Sequence, residues 1–221
     1  MTLVKICGIT NLEDARHALE HGADELGFNF YSKSKRYIFP DAAKAIISEL
    51  PASVSKVGVF VNMSLEGVLE TARFTGITAI QLHGDEDTVY VRALRSKAGL
   101  KIIRAFRVER SMVAIQNPTL DAHAILLDSY QHKEYGGTGM SFDWNIVKNL
   151  SEFFPTIYLA GGLVPENVAE AIRTVRPYAV DVASGVESSP GKKDPKKVEE
   201  FIRAVRTACV SGRYELENHT S

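Results

Sequence analysis

Eight short apolar runs recur along the chain at nearly constant spacing, and that rhythm limits the fold more than any other feature. They cover residues 3–7, 26–30, 56–61, 79–83, 101–106, 124–128, 156–160 and 179–183. Their starts lie 23, 30, 23, 22, 23, 32 and 23 residues apart. Each run is nearly continuous in Val, Ile, Leu and Phe, as strands buried on both faces must be. A segment with helical periodicity separates most neighbouring runs, and strands alternating with helices make a parallel sheet. Eight such units between Leu3 and about Cys209 fit one closed (β/α)8 barrel of the α/β class, a TIM barrel on the short side for that fold. An open doubly wound sheet usually needs fewer strands. Residues 1–210 are therefore assigned to a single barrel domain and 211–221 to a polar C-terminal tail.

The intervening helices carry readable ends. Thr10 and Glu13 read as a capping box, Leu12, Ala15 and Leu19 as an apolar stripe, and Gly22 as the residue after the helix. Ser64 caps the third helix, which stops before Gly76. Asp85-Glu86-Asp87 places acid in the first turn of the fourth, where it suits the helix dipole. Pro195 after Asp194 starts the last helix. Residues 111–121 are the weakest link, because Pro118 limits any helix there to about two turns.

Composition excludes several function classes. The 221 residues carry 26 basic and 27 acidic side chains, a net charge of −1. No half of the chain is strongly basic, so binding to nucleic acid has little to rest on. No stretch approaches the roughly 18 apolar residues that cross a membrane. The two cysteines, Cys7 and Cys209, have no metal-ligand spacing, and the N-terminal apolar run is too short for a secretory signal. A reducing, cytoplasmic setting is expected.

Barrel enzymes work at the C-terminal ends of their strands, so reactive side chains at the run ends are the candidates. Cys7 stands one residue before a glycine at the end of the first run. It is either a small buried hydrophobe or, as thiolate, a base or nucleophile. Asp128 follows three aliphatics at the end of the sixth run. It is either a cap or ion-pair partner, or a general acid whose protonated form desolvation favours. Gly161-Gly162 follows the seventh run and Ser184-Gly185 the eighth. Barrels commonly build a phosphate site from these two loops and the backbone N–H groups they expose.

Arg36 lies in the basic loop after the second run, either solvated or gripping a planar carboxylate bidentately. Lys5 and Asp181 share the parity of Cys7 and Ala183 on neighbouring strands and are expected to face the lumen as an ion pair. His83 reads more readily as a satisfied barrel-mouth histidine than as a substrate contact. The glycine-rich loop 131–142 is either a lid or a merely flexible connection. Cys209, at the end of the last helix, is expected to be structural.

Several of these residues sit in ordered motifs: Lys5-Ile-Cys-Gly-Ile-Thr10, Gly27-Phe-Asn-Phe30 with Ser34 and Arg36, Val57-Gly-Val-Phe-Val-Asn62, and Gln81-Leu-His-Gly84. They continue with Leu127-Asp-Ser129, Gly136-Gly-Thr-Gly139, Phe142-Asp-Trp144, Leu159-Ala-Gly-Gly-Leu163, Val180-Asp-Val-Ala-Ser-Gly-Val-Glu187 and Pro190-Gly191. Together they resemble phosphoribosylanthranilate isomerase, over the whole chain apart from the tail after Val210. Ala183, where that family often has serine, is a mild departure.

The resemblance implies an Amadori rearrangement in tryptophan biosynthesis, with no metal or organic cofactor. It implies Asp128 as general acid, Cys7 as general base, Arg36 on the anthranilate carboxylate, and Gly161, Gly162, Ser184 and Gly185 around the phosphate. Asp181 is counted with the substrate-binding residues. The implied partner is a small phosphorylated substrate, and the implied assembly a monomer or homodimer. Two other readings are a sister isomerase acting on a related aminoaldose phosphate, and a non-catalytic barrel that binds a phosphorylated ligand. The pairing of Cys7 with Asp128 argues against both.

Overall fold

Each of the eight apolar runs becomes a strand. In a computed structural model, which describes residues 1–107, 121–128, 154 and 156–217, they are β1 (Leu3–Cys7), β2 (Glu25–Asn29), β3 (Ser55–Phe60), β4 (Ala79–Leu82), β5 (Lys101–Arg107), β6 (Ala124–Asp128), β7 (Ile157–Ala160) and β8 (Ala179–Val182). All are parallel and paired in chain order, and β8 returns to β1 to close the barrel, with Lys5 opposite Asp181. Every strand boundary falls within one residue of its apolar run.

The described helices are α1 (Leu12–Glu20), α2 (Pro40–Ser48), α3 (Leu65–Thr75), α4 (Thr88–Ala98), α5 (Val168–Val175) and α6 (Pro195–Glu217). Alternate strand residues such as Val4, Ile6, Leu26, Phe28, Ile80 and Leu82 point outward and pack under these helices. The opposite parity fills the lumen with Val57, Ala79, Ile103, Leu126, Tyr158 and Ala179. Toward the N-terminal ends of the strands, the Tyr158 hydroxyl donates to Glu25 Oε1 at 2.8 Å and receives Lys101 Nζ at 2.6 Å.

Three local expectations change. The cap of α1 is Asn11, whose extended backbone lets its side chain accept the Asp14 N–H at 2.8 Å. The Thr10 hydroxyl instead donates to the Gly191 carbonyl, so no Thr10–Glu13 capping box forms. Asp85 and Glu86 precede α4 rather than opening it, and Asp87 is its cap. The buried Glu86 carboxylate folds back to accept the Asn62 and Gly84 N–H groups, which ties the mouths of β3 and β4 together. The last helix also continues beyond the barrel boundary set at 210, taking in residues 211–217 of the expected tail. Ser64, Gly76 and Pro195 stand where the sequence places them. The helix expected around 111–121 falls, except for residue 121, outside the described residues, as does the loop 131–142.

A short 3-10 turn, Ser184–Val186, follows β8 and leads into the antiparallel ribbon β9 (Glu187–Ser189) and β10 (Lys192–Lys193). The ribbon brings a carboxylate and an ammonium back over the mouth of β1.

Candidate active site

The mouth of the barrel collects side chains from β1, β2, β4, β6, β8 and the ribbon. Cys7 ends β1 opposite Gly27 of β2. A Cβ on Gly27 would lie 2.7 Å from the Cys7 sulfur, so the glycine makes room for the thiol. Below it Lys5 is fully buried, and its ammonium donates to Asp181 Oδ2 at 2.7 Å and Gln81 Oε1 at 2.6 Å. The expected Lys5–Asp181 pair is therefore present. Burial works against the Lys5 charge, but Asp181 and Cys7 more than offset it and hold its pKa above the ordinary value.

A directed line of hydrogen bonds runs from Lys5 across the mouth. Lys5 can only donate, so it fixes the Gln81 oxygen on its own side. The Gln81 amide nitrogen then faces His83 Nδ1 at 3.1 Å and makes that ring nitrogen the acceptor. The His83 proton is thereby assigned to Nε2, which lies 3.3 Å from Asp128 Oδ2. Asp128, the last residue of β6, is partly exposed and lies within ion-pair distance of this histidine.

On the other side, Lys193 Nζ contacts the Cys7 carbonyl at 2.6 Å, the Ala183 carbonyl at 3.1 Å and Glu187 Oε1 at 3.1 Å. Three acceptors require all three N–H groups of an ammonium. Burial pushes the Lys193 pKa down, while Glu187 and Cys7 pull it back up. Arg36 lies on Glu187 in a two-pronged contact, Nε to Oε1 and Nη2 to Oε2, both at 2.7 Å. Burial pushes the Cys7 thiol up, the ammoniums of Lys5 and Lys193 pull it down, Asp181 pushes it up again, and the net direction is upward.

The two glycine loops meet as well. Gly161 and Gly162 both have positive φ, 85° and 64°. Gly185 is seated against the β7 loop so closely that a Cβ would lie 1.9 Å from the Leu163 carbonyl oxygen.

A family model described as N-(5'phosphoribosyl)anthranilate (PRA) isomerase matches residues 4–204. A relative from Trichlorobacter lovleyi, N-(5'-phosphoribosyl)anthranilate isomerase, is 51% identical over 94% of this chain and 100% of its own length. The chain belongs to the N-(5'-phosphoribosyl)anthranilate isomerase family. Among solved structures, phosphoribosyl anthranilate isomerase from Thermotoga maritima is similar with TM-score 0.86 and 47% identity, over 94% of this chain and 100% of that one. A phosphoribosyl anthranilate isomerase in complex with reduced 1-(o-carboxyphenylamino)-1-deoxyribulose 5-phosphate is similar with TM-score 0.81 and 42% identity, over the same shares. Monomeric and dimeric forms both occur among the solved relatives. The activity is an aldose–ketose isomerisation in tryptophan biosynthesis. No helix among the described residues is long and apolar enough to cross a membrane.

Of the isomerase residues singled out on sequence, Cys7, Arg36 and Asp128 stand at strand mouths, and the two glycine loops flank one another. Asp181 is buried below the mouth and commits Oδ2 to Lys5. Gln81, Glu187 and Lys193 carry no sequence signal of their own for this site, and His83 reads on sequence as a satisfied barrel-mouth histidine. Gly185 makes the packing testable. Gly185→Ala is expected to cost about 1–3 kcal/mol, as overpacking does, because the new methyl group meets a main-chain carbonyl. At Gly162 a Cβ meets nothing within 4 Å, so Gly162→Ala carries only backbone strain of about 1–2 kcal/mol. Thermal unfolding of both variants checks this. Equal melting temperatures for Gly185→Ala and the parent would contradict the packing.

Proposed function

We propose that the isomerase uses Asp128 as general acid and Cys7 as general base, with Arg36 on the anthranilate carboxylate and the Gly161-Gly162 and Ser184-Gly185 loops around the phosphate. Asp128 protonates the furanose ring oxygen while the anthranilate nitrogen lone pair breaks the C1′–O bond, leaving an iminium ion. Cys7 removes the proton from C2′. The electrons of that C–H bond form a C1′=C2′ double bond and neutralise the nitrogen, and the resulting enolamine tautomerises to the ketose. The nitrogen lone pair is the electron source, so the scheme calls for no metal or organic cofactor.

The observation that carries this reading is the side-chain line Lys5–Gln81–His83–Asp128, which starts beneath Cys7 and ends at the proposed acid. The product analogue held by the similar solved structure has a carboxylate at one end and a phosphate at the other. That suits a cationic Arg36 for the carboxylate and the glycine loops after β7 and β8 for the phosphate. Asp181 supports the site from below through Lys5. A cytoplasmic setting suits Cys7, which has to remain a free thiol.

Anthranilate fluorescence of the substrate should decay on addition of the protein. Inorganic phosphate, titrated at fixed ionic strength, should slow that decay competitively, because the loops can bind it alone. Turnover untouched by phosphate would move the cradle elsewhere.

A further inference from the structure

Glu187 is a buried charge that the proposed roles leave unused. The Glu187 side chain is 5% exposed and receives four donors: Arg36 Nε and Nη2 at 2.7 Å, Lys193 Nζ at 3.1 Å and the Gly191 N–H at 3.3 Å. These contacts hold its pKa below the ordinary value against the opposing effect of burial. Two cations on one carboxylate leave a positive charge over, beside a mouth that receives an anionic substrate. Stability alone is a poor reason for the pair, since apolar side chains of similar volume would join the same loops with less desolvation.

The geometry points to a use. Glu187 takes the Nε–Nη2 edge of the guanidinium. Among the described residues Arg36 Nη1 makes no hydrogen bond, and the side chain is 24% exposed. The Arg36 stem also lies on Gly8, the residue after Cys7, where a Cβ would come within 2.5 Å of Arg36 Cδ. Through Lys193 the same carboxylate is joined to the Cys7 carbonyl.

We propose that Glu187 is a positioning residue for the isomerisation, holding Arg36 by one edge so that its Nη1–Nη2 edge is presented to the substrate carboxylate in fixed register with Cys7. This rests on the reading of Arg36 as the carboxylate clamp. Glu187 acts through Arg36 and touches no reacting atom. Its charge keeps the guanidinium in place before substrate arrives, so less ordering remains to be done on binding.

A double-mutant cycle on KM tests it. Arg36→Ala is expected to raise KM about a hundredfold and Glu187→Gln about tenfold, the worth of charge-assisted hydrogen bonds lost outright or weakened. Arg36→Ala with Glu187→Gln should be no worse than Arg36→Ala alone, because the carboxylate then has no guanidinium to orient. Inhibition by inorganic phosphate should stay at the parental level in Glu187→Gln, reporting an intact barrel. An unchanged KM in Glu187→Gln overturns the proposal. So does a lower one, as a Glu187 that competes with substrate would give, and so does full additivity with Arg36→Ala.

An unchanged KM in Arg36→Ala instead sinks the clamp reading, and the proposal with it. A raised KM there beside a silent Glu187→Gln sinks the proposal alone. Should Glu187→Gln fail to fold, Glu187→Asp carries the test. It keeps the charge on a shorter stem, and its KM should fall between those of the parent and Arg36→Ala, again without additivity. A parental KM or an additive effect overturns the proposal equally.

Discussion

Asp128→Asn is expected to lower kcat by about two to four orders of magnitude, the range typical of a positioned proton donor, while leaving the fold and KM nearly as they are. The reason lies in what the substitution keeps. Asparagine matches aspartate in shape and keeps an oxygen facing His83 Nε2, which stands 3.3 Å from Asp128 Oδ2. Lys5 and Gln81 keep the histidine in that orientation whichever residue occupies position 128. What the amide cannot do is deliver a proton to the furanose ring oxygen.

His83 also distinguishes the two Asp128 oxygens, since it lies beside Oδ2. If Asp128 is the acid, the histidine beside Oδ2 leaves Oδ1 as the oxygen free to carry the transferred proton. A substrate supplied already ring-opened bypasses the protonation and should recover part of the loss. Stopped-flow fluorescence with closed and open substrate separates the two steps. Parental turnover in Asp128→Asn would remove the residue from the mechanism.

The fold was readable because its causes are local. A strand buried on both faces has to be aliphatic almost throughout, so β1 and β6 can be bounded from residue type alone. Helix ends are also local, but they compete. Asn11 and Thr10 are adjacent cap candidates, and Thr10 is drawn away by the Gly191 carbonyl, 181 residues further along the chain. Glu86 looks like a helix-dipole residue until the mouth of β3 presents the Asn62 N–H to it.

The site follows the same division. Cys7 and Asp128 are legible as candidates because they stand at the ends of apolar runs. Glu187 and Lys193 do not, since their partners Arg36 and Cys7 lie 151 and 186 residues away. A lysine in a two-residue strand has no pattern of its own. Only closure of the barrel, which sets β8 beside β1, brings its ammonium to the Cys7 carbonyl. Lys5 and Asp181 are legible from parity because both lie inside strands, where alternation applies.

Cys7→Ser is expected to cost at least about two orders of magnitude in kcat, because a hydroxyl is a far poorer base than a thiolate. The environment of the thiol adds a pH dependence whose sign can be worked out. Burial raises the Cys7 pKa more than Lys5 and Lys193 lower it, so near neutral pH the free enzyme carries mainly the thiol. The basic form grows as pH rises toward that raised value. The logarithm of kcat/KM should therefore climb through the alkaline range, where a thiol with a depressed pKa would give a plateau.

Iodoacetamide reports the same ionisation without turnover. Its attack on Cys7 should be slow at neutral pH and quicken by about tenfold per pH unit, since only the thiolate reacts, and a product analogue should protect. The one competing thiol is Cys209, half-buried on α6 and accepting the Thr2 N–H at 3.3 Å. Cys209→Ser should match the parent in activity and in the rate of inactivation, and peptide mass mapping should place the label on Cys7. Full turnover with Cys7 stoichiometrically alkylated would end its candidacy as the base. A rate of alkylation that is already maximal at pH 7 would show instead that the two ammoniums outweigh burial and that the thiolate is preformed.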